Sequence, residues 1–167
     1  AGTWSSTAAS ACTNCIAGTY LTDAGTSAAK HNTIENCFAC TGNSWSSASA
    51  GTCTACSSGR YTKHPGVYSI LNHDAVDDCV LPPVITHIAP TNTTTIGNIT
   101  TSFYGRNFGN VASTIAVTIN GKVWPNLVRH NSSWLTATSL PGVGGAFPIL
   151  VSVDGVESTE NNVLFSY

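Results

Sequence analysis

Six of the seven cysteines come as three Cys-x-x-Cys pairs, Cys12/Cys15, Cys37/Cys40 and Cys53/Cys56, and Cys79 closes the series. Thiols at this spacing serve three chemistries. They bridge as disulfides, they hold zinc tetrahedrally as thiolates, or they cycle as a redox pair. Cys12/Cys15 with Cys37/Cys40 is near zinc-ribbon spacing. A redox pair wants a helix N-terminus beside a parallel sheet, and the surrounding sequence holds neither. Each pair is instead followed by a glycine and then an aromatic residue: Gly18 and Tyr20, Gly42 and Trp45, Gly59 and Tyr61. Three Asn-x-Ser/Thr sequons, at Asn92, Asn98 and Asn131, accompany this repeat. Together they favour disulfides and a secretory route.

Seven cysteines allow about 105 sets of three bridges, so spacing alone does not settle the connectivity. If each Gly-x-aromatic loop is closed by the cysteines flanking it, the bridges are Cys15–Cys37, Cys40–Cys53 and Cys56–Cys79. Cys12 is then left for an upstream or neighbouring cysteine. The opening Ala1-Gly2-Thr3-Trp4 reads like Ala17-Gly18-Thr19-Tyr20. The chain is therefore expected to begin just after a missing Cys-x-x-Cys pair.

The other reactive residues do not assemble into a site. Asn72-His73-Asp74-Ala75-Val76-Asp77-Asp78 gathers three acids. Carboxylates this close can hold calcium, but they lack the spacing of a calcium loop and read as a solvated acidic turn. His31, His64, His73, His87 and His130 are scattered and read as surface residues. Gly142-Val143-Gly144-Gly145 is too short for a phosphate-binding fingerprint and reads as a loop. No Gly-x-Ser-x-Gly elbow appears. No catalytic residue, metal or cofactor is implied.

The elements that position these residues differ between the two halves. Val, Ile, Leu and Phe number 9 in residues 1–80 and 27 in residues 81–167. The first half is too poor in apolar surface to offset the entropy of ordering it, so covalent links must replace a core. By loop entropy each bridge contributes roughly 3 kcal/mol. The expected domains are residues 1–80, a cysteine-rich disulfide region, and residues 81–167, joined through Cys79-Val80-Leu81-Pro82-Pro83.

From Pro83 the pattern becomes strands. Ile115, Val117 and Ile119 alternate with Ala116 and Thr118 and run into Asn120-Gly121, a hairpin signal. A second such turn, Asp154-Gly155, follows the apolar run 147–153. Strands are expected near 84–88, 98–105, 114–119, 122–129, 133–138, 147–153 and 161–167. That spacing predicts an antiparallel β-sandwich. Trp124 and Trp134 belong either to its core or to a contact face. Asn92, Asn98 and Asn131 fall in loops and turns and are expected to be exposed.

Charged residues are 8% of the chain, against roughly 25% in ordinary domains. With net charge −2 and no basic run, nucleic acid is excluded as a partner. No stretch approaches the roughly 20 apolar residues of a membrane span. Ser and Thr number 42. A surface so short of charge must be solvated by N- and O-linked glycans or covered by protein.

Two resemblances follow from these motifs. Cys-x-x-Cys-x-x-Gly-Thr-Tyr with a later cysteine resembles the ephrin-receptor-like cysteine-rich repeat over residues 1–79. It is also similar to the opening module of tumour-necrosis-factor-receptor repeats, which implies bonds between the cysteines flanking Gly-x-Tyr. The second unit departs from the pattern, because Cys40-Thr41-Gly42-Asn43-Ser44-Trp45 shifts both glycine and aromatic. Residues 83–167 resemble an IPT/TIG immunoglobulin-like domain. The matching motifs are Pro83-x-Ile85-x-x-Ile88-x-Pro90, Gly97, Gly105-Arg106-Asn107-Phe108-Gly109, Pro141-Gly142, Val151-x-Val153-Asp154-Gly155 and Phe165-Ser166-Tyr167.

The fold class is therefore mainly β: irregular disulfide-stapled repeats plus an antiparallel immunoglobulin-like sandwich. The function expected is that of a non-enzymatic extracellular structural glycoprotein, a repeating unit of a surface stalk, coat or fibre. Its partners would be copies of itself or adjoining segments of a longer chain. A receptor or adhesin ectodomain binding a protein or glycan is the alternative, and an accessory domain of a secreted carbohydrate-active enzyme is the third.

Overall fold

The computed structural model describes residues 1–6, 10–23, 27–64, 69–159 and 162–167. The chain divides into two compact units, Ala1–Leu81 and Pro82–Tyr167.

The first unit is built from two-residue antiparallel pairings. β1 (Thr3–Trp4) pairs with β2 (Thr13–Asn14), and β3 (Thr19–Tyr20) with β4 (Phe38–Ala39). β5 (Ser44–Trp45) pairs with β6 (Thr54–Ala55), and β7 (Tyr61–Thr62) with β8 (Cys79–Val80). Ribbons this short do not hold themselves together. Disulfides join Cys15 to Cys37, Cys40 to Cys53 and Cys56 to Cys79, with Cα separations of 5.7, 5.8 and 5.5 Å. Cys12 is free and exposed.

A longer period underlies the pairs. Trp4, Cys12, Cys15, Gly18, Tyr20, His31 and Cys37 recur as Trp45, Cys53, Cys56, Gly59, Tyr61, His73 and Cys79, a repeat of about 41 residues. The hydrogen bonds recur with it. Cys15 N–H donates to the Gly2 carbonyl at 2.8 Å, and Cys56 N–H to the Asn43 carbonyl at 2.8 Å. Each repeat also carries two 3-10 turns, Ala28–Lys30 and Ile34–Asn36 in one, Ile70–Asn72 and Val76–Asp78 in the other.

The second unit is a sandwich of two antiparallel sheets. Its strands are β9 (Val84–Ala89), β10 (Thr100–Arg106), β11 (Ile115–Ile119), β12 (Lys122–Val123), β13 (Val128–Asn131), β14 (Trp134–Thr138), β15 (Phe147–Val153), β16 (Val156–Glu157) and β17 (Leu164–Phe165). One sheet runs β13-β14-β10-β9; the other runs β12-β11-β15-β16, with β17 on β15. Alternate residues point to opposite faces of a strand. Ile88, Phe103, Leu135, Val117, Ile119, Ile149, Val151 and Phe165 accordingly meet in the core with Trp124 and Phe108. Asn120 (φ 52°) and Gly121 (φ 70°) make the left-handed turn that closes β11 and β12.

Two strand expectations are corrected. The run 122–129 is not one strand. Pro125 has no N–H for a ladder, Asn126 is left-handed (φ 54°), and the chain leaves one sheet at Val123 to join the other at Val128. The last strand is only Leu164–Phe165, and the expected start at 161 lies outside the described residues. The sequence reading also missed β16.

Candidate functional site

Among the described residues, the clusters of titratable groups are engaged in holding the fold. His31 and His73 occupy equivalent places in the two cysteine repeats. The Nδ1 atoms lie 2.6 Å from the carbonyls of Thr3 and Ser44, and the opposite nitrogen of His31 is 2.7 Å from Asp23 Oδ2. His73 is buried, so the surface reading fails for it. The ring is needed inside, where it ties a 3-10 turn to the hairpin strand.

The acidic turn is likewise more than solvated charge. Asp78 is buried, accepts the Ala75 N–H at 3.2 Å and pairs with Lys63 Nζ at 3.2 Å. Asn36 does the equivalent for the Thr33 N–H at 3.2 Å. Burial, then the hydrogen bond and charge of Asp78, raises the pKa of Asp74 above its ordinary value of 3.8. No three His, Cys, Asp or Glu side chains of the described residues group as a metal site. Residues 142–145 lie in irregular backbone that includes the Gly144 carbonyl, which accepts the Tyr167 N–H at 2.8 Å.

What the sandwich does assemble is an exposed row of rings. Phe103 is registered with Ile88 on one side and Leu135 on the other, and all three face the core. The next residues along the strands must therefore face outward. These are His87, Tyr104 and Trp134, registered in turn across β9, β10 and β14. The ring centroids of His87 and Tyr104 lie 5.8 Å apart at 22°, and those of Tyr104 and Trp134 lie 6.2 Å apart at 11°. On the edge strand β13 the register shifts between Arg129 and Asn131. The extra residue, His130, lays its ring on Trp134 at 3.9 Å and 20°, with Nε2 3.1 Å from Thr136 Oγ1. His87, Tyr104 and His130 are exposed and Trp134 is half-buried.

Trp124, by contrast, is a core residue, packed edge-on against Phe165 at 4.8 Å and Phe103 at 6.0 Å. The two tryptophans thus have separate roles. Sequence reasoning paired Trp134 with no other ring, because its neighbours come from strands distant in the chain.

The sequon asparagines are all exposed. Asn92 is bridged to Ser166, and Asn98 is left-handed (φ 61°) with its N–H on the Ser139 carbonyl at 2.8 Å. Asn131 stands opposite Trp134, so it extends the aromatic row to the sheet edge. Among the described residues no helix is long and apolar enough to cross a membrane.

A family model, the IPT/TIG domain, matches residues 83–167. Two solved structures of the plexin A4 extracellular region, one of domains 1 to 8 and one of domains 1 to 10, are similar in fold. Each is 15% identical, with a TM-score of 0.47 over 54% of this chain, and the matched part is 9% and 8% of those chains. The chain thus spans less than a tenth of either. No curated protein matches it by sequence.

Proposed function

The chain belongs to the IPT/TIG domain family, and on that premise we propose that it is part of a non-enzymatic extracellular structural glycoprotein, a repeating unit of a stalk, coat or fibre. The observation that carries this reading is the repeat of about 41 residues in the first unit. A tandem motif stapled by disulfides, with matching backbone bonds in each copy, extends by adding copies and needs no growing core. Three disulfides suit an oxidising compartment. The non-enzymatic part rests on where the reactive groups go: the side chains of His31, His73, Asp78 and Asp154 each bond to backbone and serve the local fold. Negative-stain electron microscopy of unreduced material at several dilutions tests the proposal. Filaments or sheets that persist on dilution are expected, and dispersed monomers throughout would sink it.

A second reading, a receptor or adhesin module that takes a glycan or protein, is favoured by the exposed row His87–Tyr104–Trp134. Aromatic rings with polar tips are common at recognition surfaces.

A further inference from the structure

We propose that Asn131 carries an N-linked glycan whose first sugars lie back along the row Trp134–Tyr104–His87, so that the chain covers this sheet face with its own carbohydrate. The inference rests on the secretory reading above and adds an occupant for the face.

Position is the first support. Asn131 and Trp134 are registered partners across a two-residue loop, so their side chains leave the sheet on the same side. His130 already covers one face of Trp134 at 3.9 Å. A sugar joined at Asn131 therefore meets the part of Trp134 that His130 leaves open and, beyond it, the exposed Tyr104. The rings of the row lie 6.2 and 5.8 Å apart, a step comparable to one sugar residue, so successive sugars can reach successive rings.

The state of the asparagine is the second. Its Oδ1 accepts both the N–H and the Oγ–H of Ser133, each at 2.8 Å. Both bonds use the oxygen and leave Nδ2, the atom that takes the sugar, out of them. The residue is exposed. Asn92 and Asn98 meet Ser166 and Ser139 through backbone contacts, and neither is registered against a ring as Asn131 is against Trp134.

The chemistry of the face is the third. Pyranose rings carry an apolar C–H side that packs on aromatic carbon, and their hydroxyls remain free for water or for polar tips such as the Tyr104 hydroxyl. The face needs such a cover, because only 8% of the residues are charged. A sugar at Asn131 also blocks the free backbone of the edge strand β13, a protection that edge strands need. Any strand-to-strand mating of sandwiches would then use β9, β12, β16 or β17.

The test is occupancy and contact in one preparation secreted from eukaryotic cells with isotope-labelled sugars. Enzymatic glycan release in heavy-oxygen water, read by mass spectrometry, reports each of the three sites. Carbon–proton correlation spectra then report the acetyl methyls of the sugars, which ring currents move upfield when they lie over Trp134 or Tyr104. The expected result is an occupied Asn131 with an upfield-shifted acetyl methyl that disappears in Ser133→Ala and returns to the free-glycan position in Trp134→Leu. If Trp134→Leu does not fold, the wild-type shift against the Ser133→Ala spectrum decides. An unoccupied Asn131 beside an occupied Asn92 or Asn98 overturns this inference and leaves the secretory reading standing. Three unoccupied sites overturn both. An occupied Asn131 with acetyl methyls only at free-glycan positions overturns the stacking.

Discussion

Asp74 illustrates what one residue in the acidic turn does to stability. Burial and the neighbouring Asp78 favour its protonated form in the folded chain, so its pKa is raised above 3.8. The folded state therefore holds a proton that the unfolded state releases first. The sign follows from linkage: the contribution is fully present below about pH 4 and is lost as pH rises through the raised value. Asp74→Asn, which stays neutral, should gain on the wild type as pH rises above 4, by less than about 1 kcal/mol because the site is partly solvated. Urea midpoints at pH 3.5 and 7 measure it, and equal differences at both would refute the assignment. The sequence could not show this, since it depends on Asp78 being folded inward as a cap for Ala75.

At the scale of elements, the bulge between Tyr104 and Gly105 is the sharpest constraint on the sandwich. A Cβ on Gly105 would fall on the Val84 carbonyl and against the Phe108 ring, so backbone has to move. Gly105→Ala should cost about 2 kcal/mol or more, and the thermal midpoint should fall by several degrees. An unchanged midpoint would mean that β9 shifts freely. Most of the sandwich was legible because its signals are local: alternation over 115–119, Asn120-Gly121 and Asp154-Gly155 each speak for themselves. The break within 122–129 was also written in Pro125, but Val123 and Val128 on either side kept the apolar pattern alive. The aromatic row was not legible, because it exists only in the register of four strands. In the first unit the 3-10 turns have too little composition to see, although the recurrence of His31 with Cys37 and of His73 with Cys79 was a signal available for them.

For the whole molecule, the disulfide pattern has a mechanical consequence. Tension applied along the first unit does not follow the chain. It crosses from Cys15 to Cys37, runs to Cys40, crosses to Cys53, runs to Cys56 and crosses to Cys79. The loops between bridged cysteines carry no load. With Cα separations of 5.7, 5.8 and 5.5 Å at the crossings, the taut path from Cys15 to Cys79 is about 40 Å, against roughly 220 Å for the same chain fully extended. Single-molecule pulling between Cys15 and Cys79 should therefore find this segment almost inextensible when oxidised and longer by well over 100 Å once reduced. Equal contour lengths in the two states would place the bridges elsewhere. Oxidised, the stretch from Cys15 to Cys79 behaves as a tether of preset length, and the loops inside its bridges can open without letting out any line.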